Sequence, residues 1–212
     1  MCGELIEEYN FIKNDIENRL NEFAAVWKNG NDEDIFYELM FCLMTPQSKA
    51  ELCWEAVKRV RNRDITKIRK SSDILNDMVG VRFKYKKSEY ILEARDKFFR
   101  NGRFFIKEKI KNFKDIYDLR EWLVKDIKGI GYKEAGHFLR NIGFGDKITI
   151  LDRHILKNLR NYAVINHIPS SMTKKNYMEI EQKMSRFSEQ IKIPLDHLDL
   201  LFWYREAGKI FK

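Results

Sequence analysis

The 212-residue sequence predicts an all-α fold. Three observations carry that expectation. Apolar residues recur at three- and four-residue steps over most of the chain, the spacing that lines one face of a helix. Prolines stand only at 46, 169 and 194, and half of the ten glycines fall between 129 and 145, so little interrupts long helices elsewhere. Strand-like alternation is nearly absent.

The elements follow in order. Leu5, Ile6, Tyr9, Ile12, Ile16, Leu20 and Phe23 form a first amphipathic stripe. Ile35, Phe36, Leu39, Met40 and Leu43 form a second within 34–44, and Ala50, Cys53, Trp54 and Val57 a third in "SKAELCWEAVKRVR". "TPQSKAE" reads as the start of that third helix, with Thr45 as its cap and Pro46 at an early position. Further helical patterns cover 64–78, 87–101, 103–111, 115–127, 132–142, 153–162, 173–190 and 194–208, giving about ten helices in all. "KITILD" (147–152) is a short extended connection, and "VGVRFKYKKSEY" (79–90) contains irregular backbone. "FKYKK" and "RKSSD" read as solvated basic faces.

Lys and Arg outnumber Asp and Glu 40 to 32, a net charge of +8 that favours a polyanionic partner. Cys2, Cys42 and Cys53 are odd in number and unpaired in spacing, which suits a reducing cytosol. They share no ligand spacing with the four histidines, so neither a metal site nor an iron–sulfur cluster is expected, and no cofactor. No apolar run approaches a membrane span, and the acidic N-terminus is unlike a secretory signal. The expected protein is soluble, intracellular and monomeric.

The stretch "LVKDIKGIGYKEAGHFLRNIGFGDKITILDRHI" holds the chemistry. A helix ends near Lys128 and another begins after Gly131, a link short enough to call for glycine at 129 and 131. Backbone amides of Gly129, Ile130 and Gly131 then lie beside a helix N-terminus, where orphan donors and the macrodipole favour an anion such as a DNA phosphate. Apolar residues before the link, with Ile130 inside it, pack the two helices together. A plain αα-corner explains the glycines equally well. Lys133 falls in the first turn of the second helix, where an ammonium is disfavoured. It either reaches outward to a phosphate, or dipole and partial desolvation favour a neutral amine able to attack carbon. Asp152, nineteen positions on, suits a helix N-cap. A carboxylate there also suits an oxocarbenium-like transition state at a sugar carbon losing its base.

Helix–"GIGYK"–helix followed by "LDRHI" resembles the helix-hairpin-helix motif of the endonuclease III superfamily of DNA glycosylases. Lys133 matches the lysine nucleophile of its bifunctional members, and Asp152 the catalytic aspartate. The resemblance implies two helical subdomains with a DNA-binding cleft between them and the hairpin at their junction. One is a contiguous barrel-like segment, 32–135, ending in the hairpin (about 117–142). Residues 1–31 and 136–212 make the other. No cysteine follows Cys53, so the superfamily's C-terminal iron–sulfur cluster is missing. "FCLMTPQSKAELCWEAV" and "LDLLFWYREAGKIFK" resemble the compact archaeal-type 8-oxoguanine DNA glycosylase/lyases. That group implies a pocket for a flipped base, with Trp203 as a stacking platform and the carboxylate of the terminal Lys212 at the purine edge. 8-Oxoguanine carries a hydrogen on N7 that guanine lacks, so an acceptor there discriminates between them. Trp203 reads otherwise as a core aromatic, and Lys212 as a frayed terminus.

By the same resemblance, Gln47 and Ser48 face the duplex gap left by the flipped base, and Arg82 and Phe83 touch the estranged base or the lesion. The implied protein is a bifunctional glycosylase/AP lyase acting on duplex DNA with oxidised guanine, cytoplasmic and nucleoid-associated in a prokaryotic-type cell. Two alternatives stay open: a glycosylase for other oxidised bases, and a non-catalytic hairpin module in which Lys133 only contacts phosphate.

Overall fold

The computed structural model describes residues 2–212 and is predominantly helical. The elements are α1 (Cys2–Asn29), α2 (Asp32–Met44), α3 (Ala50–Arg63), α4 (Lys84–Phe98), β1 (Phe99–Arg100), β2 (Arg103–Phe104), α5 (Ile106–Lys111), α6 (Ile116–Asp126), α7 (Tyr132–Asn141), α8 (Arg153–Asn161), α9 (Lys174–Ile191) and α10 (Leu195–Ala207). No described helix is long and apolar enough to cross a membrane.

Three sequence expectations are corrected. The helix expected over 64–78 is two 3₁₀ turns, Ile65–Lys67 and Ser71–Ile74. Asp64, at φ 63°, accepts from the Thr66 amide at 3.0 Å, and this local bond competes with a continuous helix. The helix expected from 103 starts at Ile106, because Phe99 and Arg100 pair antiparallel with Phe104 and Arg103. Asn101 and Gly102 both have positive φ, which is what a two-residue hairpin turn requires. Thr45 caps no helix start. It ends α2, its hydroxyl donating to the Cys42 carbonyl at 3.0 Å, while α3 starts at Ala50 with Lys49 at its N-cap and no side-chain cap bond.

The chain divides into two compact units. One is Val26–Phe138; the other joins the chain up to Ala25 with Leu139–Lys212. The contiguous unit is built round α2, whose residues from Ile35 to Met44 are all buried, with α3, α4 and α5 packed against it. A helix apolar on every side belongs at the centre of its unit. Phe36 stacks on Phe104 at 4.8 Å.

The terminal unit packs α8 and α9 against α10. Arg140 and Asp199 form an ion pair at 2.6 Å, both side chains 4% exposed, with the guanidinium 5.1 Å over the Phe23 ring. The extended run before α8 is held by side chains, since it lies in no sheet. Glu181 accepts from the amide and the hydroxyl of Thr149, and the Tyr177 hydroxyl donates to the Thr149 carbonyl at 2.8 Å. These bonds deliver the chain to Asp152 in a fixed direction.

Candidate active site

The contiguous unit carries the hairpin between α6 and α7. Gly129 has φ 88°, and a Cβ there would stand 2.4 Å from Cδ2 of Tyr90. Both conformation and space exclude a side chain. Gly131 is different from the sequence reading, because its φ lies outside the left-handed region. Its missing Cβ instead leaves room for the Glu134 carboxylate, which a Cβ would meet at 3.1 Å. Ile130 is buried, as the packing of a hairpin demands. The Ile130 amide donates to the Ile127 carbonyl at 3.2 Å, and the Gly131 amide reaches Glu134 Oε2 at 3.3 Å.

Lys133 stands in the first turn of α7 with a quarter of its side chain exposed. Its ammonium, which the dipole disfavours there, meets a counter-ion that the sequence reading did not include. Glu134 Oε1 lies 2.8 Å away. One carboxylate thus joins the hairpin amide of Gly131 to the candidate nucleophile. Burial pushes the Cys53 thiol up to about 11 against the lowering effect of the Lys87 and Lys133 charges, which disfavours the nucleophilic thiolate.

The sequence reading also missed Lys87, which is 5% exposed. Its Nζ donates to the Met44 carbonyl at 2.7 Å, the Pro46 carbonyl at 2.6 Å and Ser48 Oγ at 3.0 Å. Burial pushes its pKa down to about 8, with the Lys133 and Arg82 charges adding to the fall and Cys53 and Glu134 opposing it. Ser48 Oγ also accepts the Arg82 amide at 3.0 Å, so the Ser48 hydroxyl is engaged inside the fold. Gln47, Arg82 and Phe83 are exposed. Gln47 at φ 55° and Phe83 at φ 57° occupy left-handed backbone that side chains disfavour. The Arg82 guanidinium lies 5.6 Å over the Phe83 ring.

Asp152 belongs to the terminal unit, where it caps α8. Its Oδ1 accepts from the His154 and Ile155 amides at 2.8 and 2.9 Å, so Oδ2 takes no part in the cap. Trp203 is half-buried rather than a core residue, and its ring meets that of His154 edge-on at 6.1 Å. Glu206 is committed to Lys157 at 2.8 Å and to Asn158; the bond from Lys157 holds its carboxyl below the usual range. Lys212 is half-buried, and Gly208, Lys209 and Ile210 help to line a cavity of about 390 Å³ against Asp15, Arg19 and Glu22 of α1. A second cavity of about 420 Å³ is lined by Glu17, Arg140, Asp146, Asp196 and His197. Its carboxylates suit a polyanion poorly, and none of the site residues expected from sequence lines it. Among the described residues, no group of three or more His, Cys, Asp or Glu side chains is placed to hold a metal ion.

Comparison with known proteins is consistent across the chain. The sequence profile of the 8-oxoguanine DNA glycosylase family matches residues 16–193. A relative from Fusobacterium nucleatum named 8-oxoguanine DNA glycosylase/AP lyase is 45% identical over 210 residues, covering 99% of this chain and 97% of its own. The 8-oxoguanine glycosylase/lyase of Methanocaldococcus jannaschii, solved in complex with a 15mer DNA containing 8-oxoguanine, superposes with a TM-score of 0.88 at 37% identity. That match covers 99% of this chain and 98% of the other. The 8-oxoguanine DNA glycosylase of Thermotoga maritima gives a TM-score of 0.87 at 32% identity, covering 99% and 97%.

Proposed function

This chain belongs to the 8-oxoguanine DNA glycosylase family, and from that premise we propose a division of labour among its residues. The protein excises 8-oxoguanine from duplex DNA and cleaves the strand as an AP lyase. The observation that carries the residue assignment is Lys133: a partly exposed amine in the first turn after the hairpin, with a carboxylate 2.8 Å away.

The amine of Lys133, once it has given up a proton, attacks C1′ of the damaged nucleotide. The bond from C1′ to the base breaks, and the base leaves with the bonding electrons. After nitrogen loses a second proton, its lone pair forms the C1′=N bond as the C1′–O4′ bond breaks and O4′ takes up a proton, and the resulting protonated imine acidifies the adjacent C2′–H. Removal of that proton expels the 3′ phosphate and cuts the strand. Asp152 supports the developing positive charge at C1′ through Oδ2, the oxygen not used in the cap. The hairpin at Gly129, Ile130 and Gly131 anchors a backbone phosphate, the Gly131 amide exchanging its 3.3 Å bond to Glu134 for it while the Ile130 amide stays on the Ile127 carbonyl, and the exposed Lys49, Arg82, Lys86 and Lys128 supply sequence-independent affinity. The flipped base is read by Trp203, Phe83 and the carboxylate of Lys212, while Gln47 and Arg82 face the duplex and Ser48 supports them. The enzyme works as a monomer on the nucleoid.

Borohydride trapping on a duplex with one 8-oxoguanine tests this directly. Wild-type protein is expected to give a covalent adduct, and Lys133→Gln none, with duplex binding largely kept. An undiminished adduct from Lys133→Gln refutes the nucleophile. No adduct from a wild-type protein that binds DNA favours the non-catalytic hairpin module.

A further inference from the structure

We propose that Lys87 is a positioning residue: its buried ammonium locks the Thr45–Ser48 turn to the segment ending at Phe83, and so sets the preference for double-stranded over single-stranded DNA. The inference rests on the reading of Gln47, Arg82 and Phe83 as duplex-facing.

The geometry is that of a clamp. A lysine ammonium has three donors and no acceptor. Here each has an acceptor, at 2.7, 2.6 and 3.0 Å, and all three acceptors lie between Met44 and Ser48. The third, Ser48 Oγ, takes the Arg82 amide as well, so a single hydroxyl joins α4, the turn and the 82–83 backbone. Such a chain of bonds fixes two segments about forty residues apart in sequence at one separation.

What it fixes is strained. The Thr45–Ser48 turn closes with the Ser48 amide on the Thr45 carbonyl at 3.0 Å, Pro46 second and Gln47 third. Positive φ at the third position of such a turn is the province of glycine, yet glutamine occupies it. Phe83, at the N-cap of α4, is an aromatic in the same left-handed region with no side-chain cap bond. Conformations of this kind persist where the surroundings over-determine them, and they cluster where a protein engages a ligand. Both side chains point to solvent. Phe83 is 58% exposed, and it is joined on the same segment by Val79 at 62% and Tyr85 at 69%. An exposed aromatic and apolar cluster with Arg82, Lys84 and Lys86 around it suits a wedge entering the base stack of a duplex, with the cations on the flanking phosphates.

The test compares direct binding of a short duplex bearing one 8-oxoguanine with binding of the same strand alone, by fluorescence anisotropy. Lys87→Met is expected to weaken duplex binding about tenfold and single-strand binding by less than about twofold, because pre-organisation of the duplex-facing loops is lost. Lys87→Arg, which keeps the charge and the donors, is expected to recover most of the duplex affinity. Ser48→Ala removes one acceptor and the link to Arg82, and should shift the same ratio about threefold. If Lys87→Met fails to fold, the Ser48→Ala ratio decides. Equal losses on both substrates, or a folded variant with unchanged duplex affinity, overturns the proposal; so does a wild-type protein with no duplex preference. Trapping by the wild-type protein is scored separately. Its absence strikes the glycosylase reading, whereas an unchanged binding ratio with trapping intact strikes only the role of Lys87.

Discussion

Replacing Gly129 by alanine adds one methyl group, and the structure separates its two costs. The first is conformational. At φ 88° an alanine sits in a region that L-residues avoid by roughly 1–2 kcal/mol. The second is steric. The new Cβ would lie 2.4 Å from Tyr90 Cδ2, 3.0 Å from Cε2 and 3.1 Å from Cγ, near the root of the ring rather than at a flexible tip. Forcing such a methyl into packed space costs about 1–3 kcal/mol. Together they come to roughly 2–5 kcal/mol, a large share of the 5–15 kcal/mol that keeps a typical protein folded. Urea melts of wild type, Gly129→Ala, Tyr90→Ala and the double variant form a cycle that divides the two. Tyr90→Ala gives the methyl room, so the double variant should be more stable than the two single losses predict, by about 1–3 kcal/mol. The conformational part should survive in the double variant. Additive losses would mean that the Tyr90 ring does not dictate glycine here, and a Gly129→Ala loss below about 1 kcal/mol would exclude the backbone as well.

Asparagine caps helices about as well as aspartate, so Asp152→Asn should keep stability within about 0.5 kcal/mol while excision falls at least a hundredfold; Asp152→Ala should lose activity and about 1 kcal/mol besides, as urea melts would show. The pKa of Lys87 falls from the ordinary 10.5 to about 8 on folding, chiefly through burial, so folding releases a proton between those values. Stability should therefore rise with pH across that window by up to about 3 kcal/mol, with none of the gain present below pH 8. Duplex affinity should fall in the same window, since a neutral amine has two donors for three acceptors. Urea melts and anisotropy at pH 7.5 and 9.5 measure both, and Lys87→Met should remove both slopes; slopes that persist in the variant exclude Lys87 as their source.

Local signals in the chain carried far. The Gly129-Ile130-Gly131 link and the cap at Asp152 were legible because each depends on neighbours within a few residues. Asn101-Gly102 was equally local, a two-residue hairpin signal between aromatic runs, and it was overridden by the helical spacing that follows. Gly131 shows the limit of reading glycine as a turn signal. Its role is to admit the Glu134 carboxylate, a matter of space and not of φ. Lys87 was hidden for another reason. In "FKYKK" it counts as one more solvated charge, yet the helix phase puts it on the buried side of α4 with Ser88, Ile91, Leu92 and Arg95. A charged residue in phase with an apolar stripe was the available sign. Its three acceptors, some forty residues earlier, could not be read from spacing.

Helix α4 ties these features together. Tyr90, Glu93 and Lys97 stand at i, i+3 and i+7, one stripe along a helix, and each meets the end of α6 or the hairpin. Tyr90 fills the space that Gly129 leaves, Glu93 pairs with Lys128 at 3.0 Å, and Lys97 donates to the Asp126 carbonyl at 2.6 Å. Lys87 lies three residues before Tyr90, on the adjoining edge of that stripe, and holds the Thr45–Ser48 turn. The anchor proposed for phosphate and the loops proposed for the duplex are thus both indexed to one rigid rod, inside a single unit. A displacement of Tyr90 must move one reference relative to the other. Gly129→Ala should consequently disturb duplex binding through α4 as well as through the hairpin, and its effect should be non-additive with that of Lys87→Met. Strict additivity would mean that the hairpin and the loops are positioned independently, with α4 as packing alone.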